Sequence, residues 1–270
     1  MDLDRILAHS QQIPTVDLDW EAAARAGLSA GERRVLEYFA DIEGQTIVYL
    51  RDLLRTSAAL EPDAIGFLSM WNYEEYFHGR ALSRLLAACG KPLEEDRIAR
   101  VRATARPAEA IEAALSALIS RVCPAAFPAV YMTWGASQEL TTLRGYEELQ
   151  RTTQNPVLRE LCARIARQER RHFAWYYHTA HERLERSGTA RRLTRFAFDR
   201  FWAPVGAAVK GDEEAAAVVA ALFPGSALNR VAEELAARIG ALPGMAGVRL
   251  LDGFLERTGP PARNVAALAA

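Results

Sequence analysis

Apolar residues recur along this chain with the 3.6-residue period of an α-helix, and no stretch alternates as a strand would. A first segment, from about Pro14 to Gly31, reads as irregular with one short helix. Helix A is predicted over about 32–57, with Leu36, Phe39, Ala40, Ile47, Leu50 and Leu54 on its apolar stripe. Glu61-Pro62-Asp63 reads as a turn with Asp63 as the expected N-cap of helix B. Helix B covers about 64–89, carries Leu68, Trp71, Leu82 and Leu85 on its stripe, and stops at Gly90-Lys91-Pro92. A further helix is expected over about 108–122. Helix C then runs to about residue 152, with Met132, Ala136, Leu143, Tyr146 and Leu149 facing inward. Asn155-Pro156 places a capping residue before proline at the first helical position. It starts helix D, which reaches about residue 186 with Leu158, Cys162, Ile165, Phe173 and Tyr176 inward. Three or four shorter helices are expected from 189 to 270, punctuated by Pro204, Gly211, Pro224-Gly225, Pro243-Gly244 and Gly259-Pro260-Pro261.

Six polar side chains interrupt this pattern on its apolar side. Glu43 lies on the stripe of helix A, Glu75 and His78 on that of helix B, Glu139 on that of helix C, and Glu169 and His172 on that of helix D. Buried glutamates are rare unless paired or bound to metal. Residues three apart on a helix share one face, so each Glu-x-x-His can turn a carboxylate and an imidazole to one ion. A single glutamate on one helix followed by Glu-x-x-His on the next, given twice, is the ligand order with which a four-helix bundle holds two iron ions.

Depth along the helices is a separate test. In an antiparallel hairpin two ligands meet only when they are about equally far from the turn. By the predicted bounds, Glu43 lies about 14 residues before its turn and Glu75 about 12 after it, while Glu139 and Glu169 lie about 13 and 14 residues from theirs. At 1.5 Å per residue each pair falls within about 3 Å of one level. The donor set contains no thiolate and suits iron, and four carboxylates balance the charge of two divalent ions. His178 and His181 are also three apart but lack carboxylates at matching depth, and they read as surface or packing residues. His9 carries no signal, and Glu147 and Glu148 read as solvated.

Composition adds the expected setting. The chain has 270 residues, half of them hydrophobic, with a formal charge of −1 that gives no general attraction to nucleic acid or membrane. It reads as one domain over 1–270, with a bundle core at about 32–186 and a helical extension at about 189–270. Cys89, Cys123 and Cys162 are odd in number and never in Cys-x-x-Cys, and read as buried free thiols of a reducing compartment. With no signal-peptide pattern at Met1-Asp2-Leu3-Asp4 and no apolar run of membrane-spanning length, a soluble cytoplasmic protein is expected.

Two stretches go further than ligand spacing: Glu74-Glu75-Tyr76-Phe77-His78-Gly79, and the run from Gln138-Glu139-Leu140-Thr141-Thr142 through Asn155-Pro156-Val157-Leu158 to Gln168-Glu169-Arg170-Arg171-His172. In these the chain resembles the soluble acyl-acyl-carrier-protein desaturases of the ferritin-like superfamily, and Arg195-Phe196-Ala197-Phe198-Asp199 continues the likeness more weakly. The resemblance implies an all-α fold, a ferritin-like four-helix bundle with a di-iron site and additional C-terminal helices. It implies Glu43, Glu75, His78, Glu139, Glu169 and His172 as iron ligands, with Glu75 and Glu169 bridging. Thr142, one turn after Glu139, matches the family threonine beside the oxygen-binding face; by spacing alone it reads equally as a helix threonine bonding back to a carbonyl. Glu74 is expected to hold His172. Gln168 stands where the family has aspartate, and Tyr76-Phe77 replaces a more polar pair.

The activity so implied is oxygen-dependent desaturation of a fatty-acyl chain carried on acyl carrier protein. It would use two Fe2+ ions, O2 as co-substrate, an external electron donor such as ferredoxin, and a homodimer. Trp71, Trp134 and Phe173 are candidates to line an acyl channel, or are ordinary core aromatics. Arg164, Arg167, Arg170, Arg171, Arg191, Arg192 and Arg195 would offer an acidic carrier a dock, or form a solvated face. The same ligands also serve a hydroxylase or other oxygenase, a ferritin-like ferroxidase, or a structural bundle without chemistry.

Overall fold

A computed structural model describes residues 2–103 and 107–258, and these are helical with no strand among them. Two short helices open the chain, α1 (Leu3–Leu7) and α2 (Trp20–Ala26). The long helices are α3 (Ala30–Leu53) and α4 (Pro62–Ala88), then α7 (Phe127–Thr152) and α8 (Pro156–Arg186), with α5 (Arg97–Ala103) and α6 (Pro107–Val122) between the two pairs. After them come α9 (Gly188–Phe201), α10 (Ala207–Lys210), α11 (Asp212–Leu222), α12 (Ser226–Gly240) and α13 (Leu251–Thr258). The extension therefore has five described helices where three or four were expected. Gly259-Pro260-Pro261 and the alanine-rich tail lie outside the described residues.

Local chemistry sets the ends of the long helices. Ser29 and Glu32 form a reciprocal capping box, so α3 starts two residues before its predicted start. It ends at Leu53, and Ser57–Leu60 forms a separate 3-10 turn. Glu61, rather than Asp63, occupies the N-cap of α4; Pro62 fills the first helical position and Asp63 lies in the first turn, where its charge suits the helix dipole. Asn155 caps α8 as expected, its side-chain oxygen accepting from the amides of Val157 and Leu158, both at 3.1 Å.

The most extensive helix contacts are α7 on α8 and α3 on α4, and α4 also meets α8. The inward stripes of α4, α7 and α8 are buried throughout: Leu68, Trp71, Leu82, Leu85, Met132, Tyr146, Leu158 and Ile165 all belong to one core. The stripe of α3 is buried only in its first half. Leu36, Phe39 and Ala40 are core, whereas Ile47 and Leu54 are 45% and 47% exposed, although Leu53 between them is buried. Asp41, fully buried on α3, takes a two-point bond from Arg97 on α5 and a 2.6 Å bond from Lys210 on α10. That pairing explains α5, which hydrophobic periodicity does not reveal.

The extension is tied to the long helices by polar as well as apolar contacts. Trp202 Nε1 donates to Ser137 Oγ at 2.9 Å, Gln138 Nε2 to the Ala203 carbonyl at 3.0 Å, and the Tyr38 hydroxyl to the Val205 carbonyl at 2.7 Å. Cys89, Cys123 and Cys162 are free; only Cys162 is fully buried, the other two being half-buried. Among the described residues no single helix is long and apolar enough to cross a membrane.

Two glycines mark close approaches beside the candidate site. A Cβ on Gly79 would sit 3.2 Å from Glu43 Cβ, so the α3–α4 contact is tight one residue after His78. A Cβ on Gly135 would lie 2.5 Å from two ring carbons of Tyr176, a ring packed inside the core. Gly135→Ala is therefore expected to destabilise the fold by about 1–3 kcal/mol, read as a lower midpoint in denaturant. An unchanged midpoint would mean that Tyr176 can move aside.

Candidate metal centre

The helical register brings Glu43, Glu75, His78, Glu139, Glu169 and His172 into one buried cluster. Their donor atoms fall into two overlapping groups. Glu43, Glu75, His78 and Glu169 form one; Glu75, Glu139, Glu169 and His172 form the other, and the donors within each lie within 4.8 Å of one another. Glu75 and Glu169 belong to both. Glu75 Oε1 is 3.0 Å from His172 Nδ1 and its Oε2 is 3.3 Å from His78 Nδ1. Glu169 repeats the arrangement, with Oε1 3.2 Å from His78 Nδ1 and Oε2 3.6 Å from His172 Nδ1. Each shared carboxylate thus turns one oxygen to each histidine, while Glu43 and Glu139 serve one side each.

Outside these donors lies a set of groups that fixes them. His172 Nε2 donates to Glu74 Oε2 at 2.8 Å, and His78 Nε2 donates to Gln168 Oε1 at 2.6 Å. A proton on each Nε2 leaves each Nδ1 directed at the carboxylates as a potential ligand. Trp71 Nε1 donates to Glu139 Oε1 at 2.9 Å, and the Tyr146 hydroxyl donates to Glu43 Oε1 at 2.7 Å. Arg171 Nη2 bonds both oxygens of Glu74, at 2.7 and 2.9 Å. Periodicity puts Tyr146 on the inner face two turns after Glu139, but gives no reason to pair it with Glu43. Arg171 has no sequence signal beyond standing next to His172.

The centre leaves buried polar atoms unsatisfied. Both oxygens of Glu169, Glu75 Oε1 and His172 Nδ1 are buried without a hydrogen bond, despite the short distances among them. Orphaned buried groups of this kind are costly unless something else contacts them. They are also the atoms a cation would engage. The buried Glu/His groups could hold a metal ion, and the oxygen and imidazole donor set fits a first-row divalent ion.

Electrostatics shows how the cluster stands without a cation. Burial holds the Glu43 carboxyl well above the usual range, with Glu75 adding repulsion. Burial likewise raises Glu139, with Glu169 adding to it. For Glu75, burial also pushes upward, but the bond with Glu43 and the charge of His78 outweigh it and hold this carboxyl well below its usual value. Glu169 is lowered on balance: burial and Glu75 oppose ionisation, and the two histidines favour it more. Burial would lower His78, yet Glu75 and Glu169 push it up to about 10. His172 is raised well above its usual value by Glu139, Glu169, Glu74 and Glu75 against the same burial. Without a cation, burial and mutual repulsion therefore disfavour charge on Glu43 and Glu139, while the surrounding carboxylates favour protonated His78 and His172, and the histidines favour charge on Glu75 and Glu169.

Thr142 is buried one turn after Glu139, and the threonine that bonds back along the helix is its neighbour Thr141, to the Ser137 carbonyl at 2.7 Å. Trp71 joins the centre, whereas Trp134 packs on Phe198 and Phe173 on Tyr177. His178 is half-buried and pairs with Glu182 at 3.2 Å. Glu147 pairs with Arg144 and Arg170. Glu148 is buried rather than solvated, because Arg151 neutralises it.

The arginine face divides in two. On α8, Arg164 is committed to Asp17 and Glu160, Arg170 to Glu147, and Arg171 to Glu74. On α9, Arg191, Arg192, Arg195 and Arg200 line an open groove with Phe196, although Arg195 also pairs with Asp199. Compared with known protein families, with curated proteins and with solved structures, the chain gives no match.

Proposed function

We propose that α3, α4, α7 and α8 form a ferritin-like four-helix bundle holding two iron ions. The protein is then an oxygen-dependent oxidoreductase that desaturates a fatty-acyl chain carried on acyl carrier protein. The observation that carries the reading is the pair of overlapping donor groups sharing Glu75 and Glu169. Glu43 and His78 complete one position, and Glu139 and His172 the other.

When bound, two ferrous ions and an external electron donor supply reduction of O2 and removal of hydrogen from an unactivated carbon. The chain's own residues supply the rest. Glu74 and Gln168 orient the imidazoles, Tyr146 and Trp71 hold the two unshared carboxylates, and the surrounding core keeps water out. Thr142 stands beside Glu139 as the hydroxyl that would hold a proton at the reacting face. The α9 groove, lined by four arginines, is the proposed dock for an acidic carrier.

The test is to load Fe(II) without oxygen, supply a reductant and O2, and analyse a panel of acyl-carrier substrates by mass spectrometry. Two irons per chain and a product lighter by two hydrogens support the reading. A product heavier by one oxygen would make the protein a hydroxylase. Ferric mineral without substrate turnover would make it an iron-handling protein.

A further inference from the structure

Between α1 and α2 the chain runs without helix, and this segment is bonded to the groups behind the two histidines. The Gln11 amide donates to Glu74 Oε1 at 3.1 Å, and the Gln11 carbonyl accepts from Gln168 Nε2 at 2.8 Å. Glu74 is the acceptor for His172, and Gln168 is the acceptor for His78. One residue's backbone therefore spans the supports of both imidazoles, one through its N–H and the other through its C=O.

Neighbouring contacts fasten the segment on either side of Gln11. Arg171 Nη1 donates to the His9 carbonyl at 3.1 Å while its other nitrogen holds Glu74. Arg164 donates to the Pro14 carbonyl at 2.8 Å and grips Asp17 at two points, each 2.7 Å. Ile13 is 2% exposed and anchors the segment in the core. The side chain of Gln11 itself lies on the exposed side.

The chemistry explains residue 168. A group there must accept from His78 and donate to a backbone carbonyl. A glutamine amide does both; an ionised carboxylate would set acceptor against acceptor at the Gln11 carbonyl. Glu74 faces a backbone N–H and an arginine, so a carboxylate suits it. The two positions thus use different side chains because they meet opposite ends of the same residue's backbone. One consequence is asymmetry: His172 is backed by a charged acceptor and His78 by a neutral one.

We propose that the segment from His9 to Asp17 is a strap that retains the metal, and that the Gln11 backbone is its positioning element. It holds both histidine supports in register so that divalent ions leave slowly. The inference rests on the two-ion reading of the site, and its test separates the two.

Co(II) serves as the probe, because binding gives a visible spectrum without oxygen chemistry. Stoichiometry and loss to a chelator are measured for the full-length wild type and three variants, with metal-free melting in parallel. Gln11→Ala keeps both backbone groups and should retain Co(II) as the wild type does. Gln11→Pro deletes the N–H, and should weaken retention by about 10- to 100-fold, the usual cost of losing a group that orients a ligand. Gln168→Glu keeps an acceptor for His78 but loses the donor to the Gln11 carbonyl, so it should speed loss of the ion beside His78 and spare the other, and it tests the strap even if Gln11→Pro misfolds. A strap serving only the fold would lower metal-free melting in these variants without changing the order of Co(II) loss, and that result would overturn the proposal. Equal loss from Gln11→Ala and Gln11→Pro would overturn it too. In both cases a wild type holding two Co(II) leaves the two-ion reading standing; a wild type that binds none ends both.

Discussion

Glu75→Ala is expected to abolish tight binding of both metal ions, whereas Glu43→Ala and Glu139→Ala are each expected to lose one. The difference follows from which atoms face which. The two oxygens of Glu75 stand 3.0 and 3.3 Å from different histidines, and those of Glu169 are divided in the same way. Removing either shared carboxylate takes a donor from both positions in the middle of the cluster. Glu43 belongs only to the His78 group and Glu139 only to the His172 group. Their loss leaves the opposite position with a full set of four donors. Metal content per chain after loading and desalting checks this directly: about none for Glu75→Ala and Glu169→Ala, about one for the two unshared variants, and about two for the wild type. One ion retained by Glu75→Ala would show that the positions are independent, and would end the bridging assignment.

The six side chains were legible in the sequence for a specific reason. Their signal is a contradiction of the local pattern, glutamate on an apolar stripe, repeated at matched distance from two turns. Such a contradiction survives errors of a few residues in helix ends, and the bounds of α3 did shift. What was not legible depends on groups that periodicity does not encode. Ile47 and Leu54 fit the stripe of α3 as well as Leu36 does, but burial depends on which neighbours arrive, and these two side chains stay about half exposed. Glu148 looks solvated by residue type and is buried by virtue of Arg151. Arg164, Arg170 and Arg171 of α8 look like part of a docking face until Asp17, Glu147 and Glu74 claim them. Gln11 was invisible because only its backbone is used, and a backbone group looks the same at every position.

Raising the pH is expected to destabilise the metal-free protein steadily above about 6.5, while leaving the loaded protein much less affected. His78 rises from an ordinary 6.5 to about 10 in the fold, and His172 also rises. A histidine raised in this way contributes stability that is fully present below its unfolded value and is lost as the pH climbs through its folded value. Glu43 and Glu139 act with the same sign. They keep protons in the fold that the unfolded chain has already released, so their burial grows more costly as the pH rises above the ordinary carboxylate range. Glu75 and Glu169 act oppositely, since their lowered values give stability that is lost only as the pH falls toward and below that range. Each extra proton held by the fold tilts stability by about 1.4 kcal/mol per pH unit. In the proposed two-ion site the ions would take the place of those protons, four carboxylates balancing the charge of two divalent ions. Loading near neutral pH should therefore release protons, above all from the two histidines, whose values are raised in the fold. Calorimetric titration in buffers of different ionisation enthalpy counts them, and melting against pH with and without metal gives the slope. A metal-free melting temperature that rose between pH 6.5 and 9 would mean that the cluster does not hold its charge in this way.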